Sequence, residues 1–567
     1  MSWTGWLLFF GIVNVIHFVS TWKLYQAAGK KAWEAVIPVY NAVVLMQIIN
    51  RPRWWVFLFF IPTINLIIIP IVWVETLRSF GFRSTRDTAL VLLSGGLYIA
   101  TKNYGSPLDY ISDRSLKPRT AFGEWFSSIL FAVVAATLVH NYIMQPYIIP
   151  TGSLEKTLLV GDFLFVSKFH YGSRVPMTAV SFPMVHDTLP LVKIRSYLKK
   201  PQLPYLRLPK FQEIKRNDIV VFSWPADTVR QFFVKEAGVR KPIDKKSNYV
   251  KRCVGLPGDT LEIKDGLIYI NSKRTKLPER AKVQYTHTVF SEKGVSARKL
   301  KELGYKDFLR TYKVQNITQQ RFNALRPYLL GTMGESIDDF RLITSSNGLP
   351  VSVVNELRLS VTEVLEREKE MTLTLAEAKK LAAEPWVDFV VRKNQTEKIP
   401  NTQFFPNALP FDWNEDNFGP IVLPKAGVTI QLNDANYPLY KKLIREYETN
   451  DFVKKQNGYF INGEATNTYT FQQDYFWMMG DNRHKSEDSR FWGFVPADHI
   501  VGKPVFIWFS IEGFTEGIKN WRIRWNRVFT TVGLEGPPNS YFPHFIVFVV
   551  LWQIVSWYRK RKKSQAT

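Results

Sequence analysis

The sequence predicts a membrane-anchored, mainly-β domain that carries an α-rich insertion and is accompanied by multiple transmembrane helices. Three observations predict this fold class. Long apolar runs lie near both ends of the 567-residue chain. Short apolar runs bounded by turn residues, which are typical of strands, follow the first apolar block. A charged stretch of helix-favouring residues then interrupts these strands.

The apolar runs define the predicted membrane segments. Residues 5–20 lack a basic start, so we interpret them as a retained span rather than a cleaved secretory signal. Residues 32–50 suit either a span or an interfacial helix. The other candidates are 54–74, which two prolines would kink, the strongly apolar run 121–143, and 541–557. The run 88–100 is apolar but short, which suits a tilted, re-entrant or buried segment. Four or five spans thus precede the polar region and one follows it.

Basic residues give these spans an orientation, because Lys and Arg concentrate on the cytoplasmic side. The tail 559–567 begins with Arg-Lys-Arg-Lys-Lys, and Lys117 and Arg119 precede the span 121–143. Both observations place residues from about 145 to 540 outside the cytoplasm. The arginines at positions 78, 83 and 86 would then also lie outside, which runs against the rule.

The polar region divides into strands and an insertion. Apolar runs at 163–166, 218–222 and 249–254 predict strands, and Asp265-Gly266 between two such runs predicts a tight hairpin. Residues 296–314 and 351–383 favour helices, and we expect a solvated embellishment there, with a substrate-facing lid as the alternative. The predicted regions are membrane spans in 1–120, an anchor at 121–145, a β-rich domain at 146–271 and 424–515, an α-rich insertion at 272–423, a transmembrane helix at 541–558 and a cytoplasmic tail at 559–567.

The charge and the rare residue types argue against some classes of function. The net charge is +25, from 74 Lys and Arg against 49 Asp and Glu. Because the basic residues are dispersed and flank apolar runs, an anionic lipid surface suits this excess better than nucleic acid. The single cysteine, Cys253, rules out an internal disulfide and a cysteine-rich metal site. The eight histidines show no ligand spacing, so we expect neither a metal nor another cofactor.

Three segments contain residues that an ordinary structural element does not explain. Residues 149–162 carry a Thr-Gly-Ser turn at Ser153, and residues 249–259 carry Lys251 in a strand that a Gly-Leu-Pro-Gly-Asp turn ends. Residues 480–496 read GDNRHKSEDSRFWGFVP, and this density of glycines, serines and Asp–Arg pairs favours a built site over a solvent loop.

A serine and a lysine in these segments suggest a catalytic pair. Serine is a weak nucleophile without a base, and a lysine can be that base once burial has lowered its pKa. In an extended strand Lys251 shares a face with Tyr249 and Cys253, while Arg252 points to the other face. The ordinary alternatives are a surface turn for Ser153 and a solvated side chain for Lys251.

In this order, the three segments resemble the signature boxes of type I signal peptidases, the bacterial-type Ser-Lys proteases of peptidase family S26. The stretch 217–222 resembles a fourth, structural box. The resemblance covers about residues 121–271 and 420–510, and it implies a signal-peptidase-like β fold. It does not extend to the N-terminal spans, the insertion or the C-terminal span.

The resemblance implies a role for each matched residue of the reaction. Ser153 would be the nucleophile and Lys251 the general base. The backbone N–H of Ser153 and the hydroxyl of Thr151 would form the oxyanion hole. Ser486 would hydrogen-bond Lys251 and orient it.

The resemblance also implies residues that support the site, and it shows two departures. Support would come from a pair formed by Asp488 and Arg490, and from Gly480, Asp481 and Asn482. The family usually has Met where Leu154 stands, which is a mild apolar exchange. It has Pro where Lys156 stands, which could loosen the loop or alter substrate contacts without removing a catalytic group.

The implied function is a membrane-bound serine endopeptidase that cleaves signal peptides from exported preproteins through an acyl-enzyme. Its expected partners are preproteins, the lipid bilayer and the protein translocation machinery, with no nucleic acid. Its expected location is the bacterial inner membrane, as a multi-pass protein with the catalytic domain on the periplasmic side. The alternative is a catalytically silent membrane scaffold that binds preproteins. A third hypothesis, nucleic-acid binding at the membrane surface, rests on net charge alone.

Overall fold

The centre of the protein is a nine-stranded sheet in which every strand pairing is antiparallel. The computed structural model describes residues 3–105, 107–118, 120–227, 239–315, 317–334, 340–456 and 458–565, and Arg119 lies outside them. Seven strands follow one another in space: Met144–Ile148, Asp162–Ser167, Ile500–Glu512, Ile219–Ser223, Asn248–Gly255, Tyr475–Met479 and Val495–Pro496. Arg522–Ile523 and Thr530–Thr531 also pair with Ile500–Glu512. The predicted mainly-β domain is confirmed.

A second sheet contains the predicted hairpin. Thr260–Lys264 pairs with Leu267–Ile270 around Asp265 and Gly266, whose φ angles are 48° and 73°. Two consecutive left-handed residues are what a type I′ hairpin turn requires, so this prediction is confirmed. Lys273–Arg274 and Phe418–Val422 complete the four-stranded sheet.

Residues 424–475 add small β elements and one helix to this domain. Thr429–Gln431 pairs with Thr468–Thr470, and Phe452–Lys455, Gly458–Ile461 and Glu464–Ala465 form a three-stranded sheet. The helix Tyr437–Lys442 continues as one π-helical turn, Leu443–Tyr447. Their apolar side chains join those of the hairpin sheet in the largest core of the β domain.

The insertion is not α-rich, which corrects the sequence-based expectation. Its described residues form a three-stranded sheet of Gln284–Phe290, Glu368–Thr374 and Phe389–Arg392, and a four-stranded sheet of Arg310–Gln315, Gly331–Met333, Arg341–Thr344 and Ser360–Glu363. The helices are short: Ala297–Glu302, Gln319–Leu325, Val351–Glu356 and Leu375–Ala382. Each sheet has its own small apolar core, so the insertion is a mixed α/β unit.

The N-terminal region is a cluster of helices around one apolar core. The helices are Trp3–Ala27, Tyr40–Ile48, Asn65–Ser79, Thr85–Leu93 and Tyr98–Gly105, with 3₁₀ segments Ala32–Ala35 and Arg53–Phe60. Neither the predicted span 54–74 nor the short run 88–100 forms one continuous helix, and their crossing of a membrane stays a prediction. The first is broken at Thr63, whose φ is 72°, and the second at Gly95 and Gly96, whose φ angles of 60° and 88° end a helix.

Two helices in the described residues are long and apolar enough to cross a membrane, Trp3–Ala27 and Ala121–Ile143. The second consists of the α-helix Ala121–Leu138 and one π-helical turn that leads straight into the first strand of the central sheet. These helices support anchoring in a membrane, whereas the larger predicted number of spans is not confirmed. The C-terminal helix Phe542–Gln565 is long but less apolar, and its crossing of the membrane stays a prediction.

Candidate active site

Ser153 lies in a tight loop that joins two neighbouring strands of the central sheet. The loop leaves Met144–Ile148 and returns at Asp162–Ser167, and Ile149 closes its base through two backbone hydrogen bonds of 2.9 Å. Ser153 sits in a 3₁₀ turn, Gly152–Leu154, and is only 9 % exposed. Its hydroxyl makes no hydrogen bond with a described residue, so it is free to react or to take a new partner.

Two arginines that follow the longest strand, Ile500–Glu512, in sequence hold the second half of this loop. Arg527 donates from Nε to the carboxylate of Asp162 at 3.1 Å and from Nη2 to the carbonyl of Thr157 at 3.2 Å. Arg524 donates to the carbonyl of Val160 at 2.9 Å. No local sequence pattern indicates either contact, because the arginines lie more than 360 residues away along the chain.

Lys251 occupies the middle of the strand Asn248–Gly255 and is 3 % exposed. Burial lowers its pKa to about 8, while the negative charges of Asp488 and Glu487 act in the opposite direction. The ammonium nitrogen lies 5.7 Å from the ring centre of Tyr249 and makes no hydrogen bond with a described residue. Lys251 is therefore a buried amine that loses its proton just above neutral pH.

Arg252 forms a buried joint between the second and third segments. Its guanidinium donates to both carboxylate oxygens of Asp481, at 2.7 and 2.5 Å, and both side chains are almost fully excluded from solvent. Asp481 also accepts a hydrogen bond of 2.6 Å from the hydroxyl of Thr157. Asp481 thus links the strand of Lys251 to the loop of Ser153. The alternation of side chains along the strand predicted that Arg252 points to the other face from Lys251, but it could not predict that Asp481 is its partner.

Asn482 and Gly480 bring the third segment directly against the Ser153 loop. The backbone N–H of Asn482 donates to the carbonyl of Ser153, and its side-chain amide donates to the carbonyl of Gly152, both at 3.1 Å. A Cβ at Gly480 would lie 2.6 Å from the carbonyl oxygen of Ser153 and would overlap Ser486. Only glycine permits this close approach.

The hydrogen bond expected between Ser486 and Lys251 is absent from the structure. The Oγ atom of Ser486 is buried without a partner among the described residues, and it lies against Gly480. A hydroxyl can turn about one bond to reach a different acceptor or donor. The orienting role of Ser486 therefore stays a prediction.

Asp488 and Arg490 pair inside the third segment. Arg490 donates to the two oxygens of Asp488 at 2.9 Å each, and Asp488 accepts the backbone N–H of Gly480 at 3.1 Å. Burial raises the pKa of Asp488, but Arg490, Lys251 and the Gly480 N–H together outweigh burial, and the net pKa is lowered. The pair fixes the backbone at Gly480 and keeps a negative charge near Lys251.

Thr151 stands at the mouth of the Ser153 loop. Its backbone is extended, with φ −133° and ψ 153°, and its side chain is exposed. The hydroxyl makes no hydrogen bond with a described residue. It is therefore available to donate to a group bound beside Ser153.

Lys156 changes the conformation of the loop as well as its chemistry. Its φ angle is 66°, a left-handed value that the ring of proline forbids. A proline could not replace it without moving the backbone. The Lys156 ammonium pairs with Glu377, which lies in the insertion.

The insertion also contacts the third segment. The buried Gln284 donates from its backbone N–H to the carbonyl of Asp481 at 2.7 Å and from its side-chain amide to the carbonyl of Glu155 at 2.6 Å. Lys485 pairs with Asp307 at 2.9 Å. These contacts tie the insertion to both the serine loop and the third segment.

His484, Asp416 and Glu415 form a cluster of metal-ligand residue types. Nδ1 of His484 accepts the backbone N–H of Thr286 at 3.0 Å, and Nε2 lies 2.9 Å from Asp416. Both ring nitrogens are therefore engaged by the protein, and no lone pair is left for an ion. This histidine is a link to the insertion rather than a ligand.

Comparison with known proteins shows the family to which this chain belongs. The family model described as "Signal peptidase, peptidase S26" matches residues 122–322 and 423–509. The chain belongs to the signal peptidase family S26. The match includes all three segments described above, and it skips most of the insertion. A second model, of a family of unknown function, matches residues 33–113 in the N-terminal helical cluster.

Individual members of the signal peptidase family are also similar to this chain. Signal peptidase I of Rickettsia massiliae (strain Mtu5) and that of Rickettsia felis are each 34 % identical over 184 residues, which is 32 % of this chain and 53 % of theirs. Signal peptidase I of Rickettsia prowazekii is 32 % identical over 177 residues, 31 % of this chain and 52 % of its own. The chain thus spans about half the length of the curated relatives it matches.

Proposed function

We propose that this protein is a membrane-bound serine endopeptidase that removes signal peptides from exported preproteins with a Ser-Lys dyad. The observation that supports it best is the state of Lys251, a buried amine whose pKa is lowered to about 8. Its strand is tied to the loop of Ser153 through Asp481 and Thr157. A structural lysine would be paired or solvated, whereas a general base must be able to lose its proton.

Acylation begins with neutral Lys251. Its Nζ takes the hydroxyl proton of Ser153 as Oγ attacks the scissile carbonyl carbon. The oxyanion that forms accepts hydrogen bonds from the Ser153 backbone N–H and the Thr151 hydroxyl. The C–N bond then breaks, and the Lys251 ammonium returns the proton to the leaving amine. The mature protein departs, and the signal peptide stays bound to Ser153 as an ester.

Deacylation repeats the same steps with water. Lys251, neutral again, takes a proton from a water molecule that attacks the ester carbonyl. The tetrahedral intermediate collapses, Ser153 Oγ regains the proton, and the signal peptide leaves with a new carboxylate. In this scheme Ser486 accepts a hydrogen bond from the Lys251 ammonium and orients it, while the Asp488 carboxylate stabilises the ammonium charge.

The domain would work at the surface of the bilayer. The anchor helix Ala121–Ile143 ends where the central sheet begins. Beyond the longest strand, Ile518, Trp521 and Trp525 are 77 %, 41 % and 59 % exposed. Tryptophans and large aliphatic residues of this kind favour the membrane–water interface. A bilayer is therefore the proposed partner, and preproteins with the translocation machinery the proposed source of substrate.

We place the β domain on the periplasmic side of the bacterial inner membrane. Lys117 precedes the anchor helix, and the C-terminal helix Phe542–Gln565 ends in a basic stretch. Positive residues at both of these ends belong on the cytoplasmic side. Protease accessibility of the β domain in spheroplasts, compared with intact cells, tests this orientation.

Cleavage of a preprotein with an Ala-x-Ala site tests the activity. The full-length protein in detergent should cut this substrate, and both Ser153→Ala and Lys251→Met should abolish cutting. Ser346→Ala is the matched control, because Ser346 is similarly buried but hydrogen-bonds the carbonyl of Lys306 in the insertion. Full activity in either of the first two variants would refute the dyad. A folded wild type that never cleaves would favour the silent scaffold.

A further inference from the structure

A polar cavity lies where the N-terminal cluster, the anchor helix and the β domain meet. Its lining contains none of the candidate active-site residues. Thr63 of the N-terminal cluster meets Ser181 of the β domain there, with their hydroxyl oxygens 3.0 Å apart. The backbone N–H of Lys168 donates to the carbonyl of Ile143, the last residue of the anchor helix, at 3.0 Å. The cavity is therefore at the boundary between membrane and β domain.

The ionisable residues that line the cavity are mostly basic. Its basic lining residues are His140, Lys168, Arg174, His186 and Lys245, and its acidic lining residue is Asp244. Both carboxylate oxygens of Asp244 are already engaged by Thr178, which donates from its backbone N–H at 2.9 Å and from its hydroxyl at 2.8 Å. Among the described residues this carboxylate forms no ion pair with the cations, although its charge acts against the effect of burial on the pKa of Lys245.

Neither of the two lysines that line the cavity forms a side-chain hydrogen bond or an ion pair with a described residue. Lys245 is 7 % exposed, and its ammonium makes no hydrogen bond or ion pair with a described residue. Its one described contact is with the ring of Tyr197, at 5.3 Å from the ring centre. Lys168 likewise has no polar side-chain partner in the described part of the chain. Burial lowers the pKa of Lys168 to about 7, and it lowers the pKa of Lys245 as well.

Arg174 gives the cavity a fixed wall. Its guanidinium donates to the carbonyl of Asp498 at 3.0 Å and to the hydroxyl of Ser223 at 3.1 Å. A guanidinium carries five N–H donors, so others remain for a ligand. One held arginine and two unpaired ammonium groups form a set of donors that suits a phosphate.

We propose that this cavity binds a phosphate group, and that its source is the head group of an anionic phospholipid. The cations are costly to bury while unpaired, and an anion would relieve that cost. The anchor helix ends beside Lys168, at the depth where head groups lie, and basic pockets beside transmembrane helices bind such lipids. The bound lipid would fasten the β domain to the membrane region at their junction.

Lipid binding to the purified full-length protein in neutral detergent tests this proposal. Thermal unfolding would be followed with added phosphatidylglycerol, phosphatidylcholine or inorganic phosphate. We expect phosphatidylglycerol to raise the unfolding temperature and phosphatidylcholine to do so much less. Each charge-assisted hydrogen bond contributes about tenfold in affinity, so Lys168→Gln with Lys245→Gln should weaken phosphatidylglycerol binding about a hundredfold.

The matched control is Lys199→Gln with Lys200→Gln, which removes the same charge from exposed positions. It should keep the wild-type response. The lipid-free unfolding temperature of the Lys168/Lys245 variant checks its folding, and it should not fall, because neither ammonium group makes a hydrogen bond or ion pair with a described residue. A response to inorganic phosphate as large as that to phosphatidylglycerol would overturn the lipid as the source. No response to either, or an equal loss in the control, would overturn the site.

Discussion

The pH dependence of cleavage follows directly from the burial of Lys251. With its pKa at about 8, about 9 % of the lysine is neutral at pH 7 and about 91 % at pH 9. In the proposed mechanism, only the neutral amine can take the proton of Ser153. We therefore expect kcat/KM to rise about tenfold between pH 7 and pH 9 and to level off above that.

A charge substitution tests whether Lys251 is the group that titrates. Glu487 is exposed, and its negative charge raises the pKa of Lys251. Glu487→Gln should therefore lower the midpoint of the pH profile, by on the order of 0.5 unit for a partly screened pair. Glu302→Gln, at an exposed position in the insertion, is the control and should leave the midpoint unchanged. The assay is kcat/KM for a peptide with no group that titrates between pH 6 and 10.

Three results would refute this reasoning. A midpoint near 10.5, the ordinary value for lysine, would mean that burial does not perturb the catalytic base. An upward shift in Glu487→Gln would mean that the titrating group is not a cation beside that carboxylate. A profile that keeps its shape in Lys251→Met would assign the reaction to another base altogether.

Three further predictions concern stability and positioning. Between pH 8 and 10.5, Lys251 binds fewer protons in the folded protein than in the unfolded chain, so this lysine lowers the stability of the folded protein below pH 8. At pH 7, Lys251→Met should therefore raise the free energy of unfolding by about 3 kcal/mol or less, measured by denaturant unfolding. This gain should vanish near pH 10.5. Asp481→Ala leaves Arg252 buried without its anion and should cost about 3–5 kcal/mol in the same assay, whereas an unchanged midpoint would mean that water replaces the carboxylate. Gln284→Leu removes the donor to Glu155 and should lower kcat by about tenfold with little change in KM; a change in KM alone would assign Gln284 to substrate binding.

Local signals predicted the elements whose causes are local. The hairpin at Asp265 and Gly266 follows from turn chemistry, and the strand of Lys251 follows from its β-like run and the turn that ends it. The insertion was misassigned because its charged composition was taken as helical. Glu368–Thr374 reads Glu-Lys-Glu-Met-Thr-Leu-Thr, and its buried Lys, Met and Leu recur with the period of two that a strand requires. The alternating pattern of this strand was present in the sequence, but the charged composition of the segment led to its assignment as helix.

Contacts between distant segments could not be predicted in this way. Arg252 and Asp481 are 229 residues apart, and Gln284 and Glu155 are 129 apart. No periodicity carries information about such partners, and a motif reports only that its residues belong together. The matched segments supplied the candidate site residues, but the side chains that join these segments became visible only in the fold.

These long-range contacts decide between the two roles expected for the insertion. A solvated embellishment would leave the site untouched, and a lid would have to move away from it. Gln284 is fully buried and donates to the serine loop and to the third segment at once, while Lys156 and Lys485 pair with Glu377 and Asp307. Swinging the insertion outward would break all of these bonds together. These contacts therefore favour an interpretation in which the first strand of the insertion is part of the wall of the β domain and supports the loop that carries Ser153.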